Sequence, residues 1–116
     1  MNDDMLINND EKMFINKNYK QRASKNALRL DSTTRKALKN EVVGQLQADK
    51  LTQGEALKVL RVQVLGLKQE QFARLVKVSR KTLSDIENDN GNYSVDLLNQ
   101  VFRPFGLQVG LVEIKR

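Results

Sequence analysis

Residues 67–88 constrain the chain more than any other stretch. They read Leu-Lys-Gln-Glu-Gln-Phe-Ala-Arg-Leu-Val-Lys-Val-Ser-Arg-Lys-Thr-Leu-Ser-Asp-Ile-Glu-Asn. Phe72, Ala73, Leu75 and Val76 recur at helical spacing, which predicts a short helix over about 68–76 that buries all four. Lys77 and Val78 leave room only for a tight link. Ser79 is a good N-cap, so a second helix is expected over 80–87, with Leu83, Ile86 and Thr82 on its inner side. Ala73 stands where the helices cross and permits close approach. Val78 can plug the gap between them.

Two short helices joined by three or four residues form a helix-turn-helix. The face left outside carries Ser79, Arg80, Lys81, Ser84, Asp85 and Asn88. Arg and Lys can donate to O6 and N7 of guanine, and Ser can bond several base edges. The N-terminal end of a recognition helix is the part that meets bases, which makes Ser79, Arg80, Lys81 and Ser84 the candidate base-reading residues. Gln69 opens the preceding helix, where its amide and backbone N–H groups can meet a phosphate. Lys68 and Asn88 are further candidates for the DNA backbone. Glu87 reads as structural, tying the second helix to a neighbouring loop or helix.

The surroundings continue the helical pattern. Residues 33–49 predict a helix with Ser32 or Thr33 as N-cap and a stripe of Leu38, Val42 and Leu46. Thr52-Gln53-Gly54-Glu55 has capping-box spacing and opens a helix carrying Ala56, Leu57, Leu60, Val64 and Leu65. Gly66 stands where a left-handed residue would end it. Residues 88–92 are a dense turn signal. Ser94 caps a helix bearing Val95, Leu97, Leu98, Val101 and Phe102, which Pro104 ends or kinks near Arg103.

Beyond Gly106 the period changes. Leu107, Val109 and Leu111 alternate with Gln108 and Gly110, then Val112 and Ile114 occupy the other face. A lone strand is not stable, so this one is expected to pair with its counterpart in a second copy across a two-fold axis. The competing reading is a frayed tail on the domain. The expected division is a flexible arm over 1–30, an additional helix over 31–50, the helix-turn-helix domain over 51–106 and a dimerisation strand over 107–116. The expected fold class is mainly α, a helical bundle with one C-terminal β-strand pairing across a dimer.

Charge and composition narrow the chemistry. The 116 residues carry 20 basic and 14 acidic side chains, a formal charge of +6. Within residues 16–39 there are eight basic residues and only Asp31 as an acid. That stretch is either an arm for phosphates and the minor groove or a solvated tail. The basic excess favours nucleic acid first and an anionic membrane surface second. The chain has no Cys and no His. Disulfides, thiol chemistry and Cys/His zinc sites are excluded. No catalytic residue, metal or cofactor is expected, since there is no Gly-rich phosphate loop and no nucleophile with a base. The absence of a long apolar run argues against a membrane span, and the acidic N-terminus against secretion, so the expected location is cytoplasmic.

Lys68-Gln69-Glu70-Gln71-Phe72-Ala73, then Val78-Ser79, Thr82-Leu83-Ser84 and Glu87-Asn88 resemble the lambda-repressor-like (Xre, Cro/C1-type) helix-turn-helix family over about residues 55–106. The resemblance implies a bundle of four or five helices, base contacts from Ser79, Arg80, Lys81 and Ser84, and a backbone contact from Gln69. The chain departs from the family's pattern at Lys68, where Thr or Ser is common, at Lys77, where Gly is common, and at Pro104. A helix-turn-helix followed directly by residues 107–114 also resembles HipB-type antitoxins, which dimerise through such a strand and bind a HipA-type kinase toxin. The implied function is a dimeric, sequence-specific transcriptional repressor on a palindromic operator, acting as the antitoxin of its own operon. The alternatives are a phage-type or other Xre regulator without a toxin partner, and an interaction scaffold with weak DNA binding.

Overall fold

A computed structural model describes residues 31–114. The expected arm over residues 1–30 lies outside the described residues, as do the last two residues of the expected strand. Among the described residues five α-helices follow one another: α1 (Ser32–Gln47), α2 (Gln53–Val59), α3 (Gln69–Val76), α4 (Arg80–Glu87) and α5 (Val95–Phe102).

Each helix begins where the local chemistry directs. Asp31 caps α1, accepting from the Thr34 N–H at 2.7 Å, so the cap stands one residue before the expected Ser32 or Thr33. A carboxylate there also meets the positive end of the helix dipole. Thr52 and Glu55 form the expected capping box at the head of α2, with the Glu55 N–H on the Thr52 hydroxyl and the Thr52 N–H on the Glu55 carboxylate. Ser79 caps α4 and Ser94 caps α5.

The expected helix over residues 52–65 changes character midway. It is α-helical to Val59 and becomes a π-helix over Leu60–Leu65. A π turn holds one more residue than an α turn, so the apolar stripe set up by Ala56, Leu57 and Leu60 is displaced beyond that point. Val62, Gln63, Val64 and Leu65 are all half-buried, rather than split between a buried and an exposed face. Gly66, at φ 65°, stops the turn in the left-handed region, as expected.

One core holds these elements. Val42 of α1, Ala56, Leu57 and Val59 of α2, Leu60, Phe72, Ala73, Leu83, Ile86 and Val101 form a single buried cluster. The Val, Leu, Ile and Phe side chains among them contribute roughly 1.5–3 kcal/mol each when fully buried. Pro104 ends α5 at Phe102 and starts a 3-10 turn over Arg103–Phe105. That turn swings Phe105 into the core, where its ring stacks on Phe72 at a centroid distance of 5.7 Å.

Residues 107–114 carry no regular secondary structure, and no strand is formed among the described residues. Leu107 and Val109 pack on the core, and the Val109 N–H donates to Asn99 Oδ1 at 2.7 Å. Beyond that anchor Leu111, Val112 and Ile114 lie on the surface. A strand requires a second strand beside it, and the described residues offer none. No helix among the described residues is long and apolar enough to cross a membrane.

Candidate nucleic-acid interface

The two helices of the expected motif are α3 and α4. Their link is the tight one read from Lys77 and Val78. Lys77 adopts φ 62°, the left-handed conformation for which glycine is the low-cost residue. The Val78 N–H bonds the Ala73 carbonyl at 3.0 Å, and Gln100 of α5 donates to the Val76 carbonyl at 2.7 Å. The turn is therefore held from both sides. Ala73, Leu83 and Ile86 are buried at the crossing, as are Phe72 and Val76, whereas Leu75, expected inside, lies on the outer side of α3 and is exposed.

On the outside of α4, Ser79, Arg80 and Lys81 are exposed and Ser84 is half-buried. The Ser79 hydroxyl accepts from the Thr82 N–H at 3.0 Å and donates to Thr82 Oγ1 at 2.9 Å. It acts first as a helix cap and keeps one lone pair for a ligand. Lys81 pairs with Asp85 one turn on, at 3.1 Å. Arg80 lies 3.7 Å from Glu70 of α3, and both side chains are about two-thirds exposed, 64% and 67%. Exposed pairs of this kind are worth at most about 1 kcal/mol, so either cation can leave its partner for an anionic ligand. Asn88 closes the helix, its amide donating to the Ser84 carbonyl at 2.9 Å.

Behind this face lies an ion pair that fixes its angle. Glu87 is buried and receives Arg61 through two bonds, Nε at 2.6 Å and Nη2 at 2.9 Å. Arg61 Nη1 also reaches the Leu67 carbonyl at 2.8 Å, and the Gln69 amide donates to Glu87 Oε1 at 3.0 Å. Glu87 thus joins the end of α4 to the π segment and to the start of α3, the tie read from the sequence. Arg61 was not singled out there. Its signal is positional, since it follows Leu57 by four residues on an otherwise apolar stripe. Gln69 keeps its carbonyl oxygen and backbone N–H available. Asp89, at φ 57°, makes a second tie: its carboxylate accepts from the Gly54 N–H at 2.9 Å and the Thr52 hydroxyl at 2.6 Å.

The start of α3 differs from the other helix starts. Lys68 occupies the cap position with extended backbone and has no acceptor to offer. Only the second half of a capping box forms, the Lys68 N–H on Gln71 Oε1 at 2.9 Å. The first N–H groups of α3, beside Lys68 and Gln69, therefore receive no side-chain cap. These groups and Arg80 share one open concavity of about 640 Å³, lined also by Lys58, Arg61, Glu70, Gln71 and Arg74. Lys58 and Arg74 were not singled out in the sequence, where each reads as an ordinary polar-face residue. Among the described residues no group of three or more carboxylates is placed to hold a metal ion.

No curated protein and no solved structure matches the chain. The geometry agrees with a comparison at the family level: residues 57–111, from α2 through α5 into the tail, match the helix-turn-helix family model of the Xre or lambda-repressor-like kind, a family of sequence-specific DNA-binding regulators.

Proposed function

We propose that the chain is a sequence-specific transcriptional repressor that binds a palindromic operator as a homodimer, and that it serves as the antitoxin of a toxin–antitoxin operon of the HipB type. One observation carries the DNA reading. The N-terminal end of α4 presents Arg80 and Lys81 to solvent, while Leu83, Ile86 and Glu87 lock the opposite side into the core. Reading bases requires donors held at a fixed angle, and that rigidity comes from the buried side. Arg80, Lys81, Ser84 and Ser79 read bases in this proposal. Lys68, Gln69 and Asn88 hold phosphates.

The dimer reading rests on the tail. Leu111, Val112 and Ile114 are exposed large apolar residues beyond the Asn99 anchor, a surface that a second copy would cover. Leu107 and Val109 would continue the pairing segment on the domain side. Two-fold pairing would set the recognition helices one DNA turn apart, about 34 Å. The toxin partner is the HipA-type kinase that the tail's resemblance implies, and the working compartment is the cytoplasm that holds the operator.

Fluorescence anisotropy on an operator selected from a random pool tests the DNA roles. Arg80→Ala should cost about 1–3 kcal/mol on the selected site and little on random DNA, which relaxes sequence preference. Lys68→Ala should weaken all sequences alike. Equal loss on every sequence for Arg80→Ala, or a flat salt response, sinks the assignment. Sedimentation of a Leu111→Asp, Ile114→Asp variant tests the dimer, which should dissociate to monomer. Native pull-down from the source cell tests for the toxin.

A further inference from the structure

The concavity beside α3 extends well past the reading helix. Five cations line it, Lys58, Arg61, Lys68, Arg74 and Arg80, against one carboxylate, Glu70. Arg61 is neutralised by Glu87, and Glu70 stands beside Arg80. Lys58, Lys68 and Arg74 have no ion-pair partner among the described residues. Lys58 comes from α2 and Arg74 from the outer side of α3, so two elements place unpaired positive charge around one hollow. The hollow is continuous with the α4 face through Arg80 and Lys68.

We propose that Lys58 and Arg74 bind the phosphate backbone of the DNA duplex, extending the contact from the recognition helix along the α2–α3 concavity. This rests on the DNA-binding reading above. Charge complementarity selects the occupant. The DNA backbone carries one negative charge per about 1.7 Å of duplex axis, and neutralising it releases bound counterions. A concave, open surface with isolated cations suits a polyanion that passes across it. Bases are not read there, because a phosphate contact carries no sequence information.

Salt-dependent anisotropy of the full chain on the selected operator and on a random-sequence duplex tests this. Lys58→Gln and Arg74→Gln keep a helix-forming stem and remove the charge. Each should lower the slope of log affinity against log salt by about 0.9. Each should also weaken both duplexes equally, by roughly eightfold at about 0.1 M salt. Lys58→Arg should restore the wild-type slope, and the circular dichroism melts should match the wild type.

An unchanged slope in the Lys58→Gln, Arg74→Gln double variant overturns the proposal while leaving DNA binding by α4 intact. Loss confined to the selected operator also overturns it, since that is the signature of base reading. No affinity of the wild type for either duplex overturns the underlying reading together with this one. Binding of an acidic peptide that is lost in the double variant, with the DNA slope unchanged, assigns the hollow to a protein partner instead.

Discussion

Arg61 and Glu87 form a two-bond ion pair whose side chains are only 4% and 2% exposed, and it joins the π segment to the last turn of α4. A guanidinium matches a carboxylate in plane, which makes this pairing geometrically selective as well as attractive. Both charges have left water, so neither is tolerated alone.

Arg61→Met should therefore destabilise the fold by about 3–5 kcal/mol, because it strands a buried carboxylate. Replacing both partners, Arg61→Met with Glu87→Leu, should recover most of that loss. Urea melts of the two single variants and the double one measure the coupling. A loss below about 1 kcal/mol for Arg61→Met would show that the pair is not structural.

Gly54 and Gly44 should respond oppositely to alanine. A Cβ at Gly54 would lie 2.4 Å from the Ile86 carbonyl oxygen and 2.7 Å from that of Glu87, so α2 and α4 must separate. Gly54→Ala should cost about 1–3 kcal/mol. A Cβ at Gly44, within α1, meets nothing within 4 Å. Gly44→Ala should stabilise by about 0.5–1 kcal/mol, since helix formation then fixes a less flexible residue. Thermal melts of the pair give the sign directly.

Lys77→Gly should stabilise the turn. The left-handed backbone at φ 62° strains a side-chain-bearing residue by roughly 1–2 kcal/mol, partly offset by the larger chain entropy of glycine. A net gain of about 0.5–1 kcal/mol in chemical denaturation is expected. Lys77→Val should go the other way, because β-branching aggravates the same strain.

Asp31 ties the start of α1 to pH. The Thr34 backbone N–H, and secondarily its side chain, hold the Asp31 carboxyl below the usual carboxylate range. Its contribution is thus present above the unfolded-state pKa and is lost as pH falls through the lower folded one. Amide shifts of Thr34 should titrate with the Asp31 carboxyl on acidification, and Asp31→Asn should remove that titration. An unchanged titration in Asp31→Asn would assign it to another group.

The local layout follows from individual residues. The caps at Thr52, Ser79 and Ser94, the stop at Gly66 and the break at Pro104 are each set by one residue's backbone or hydroxyl chemistry, which acts within four residues of itself. The outward face of α4 was legible for a similar reason: helical periodicity alone separates Leu83 and Ile86 from Arg80, Lys81 and Ser84. Tertiary structure decided everything that spans larger separations. It set Arg61 against Glu87 across 26 residues, brought the Asp89 carboxylate to the head of α2, and gathered Lys58 and Arg74 around the hollow beside Lys68. Those relations depend on which helix faces which, and packing of the shared core fixes that. A periodic pattern along one helix cannot encode it.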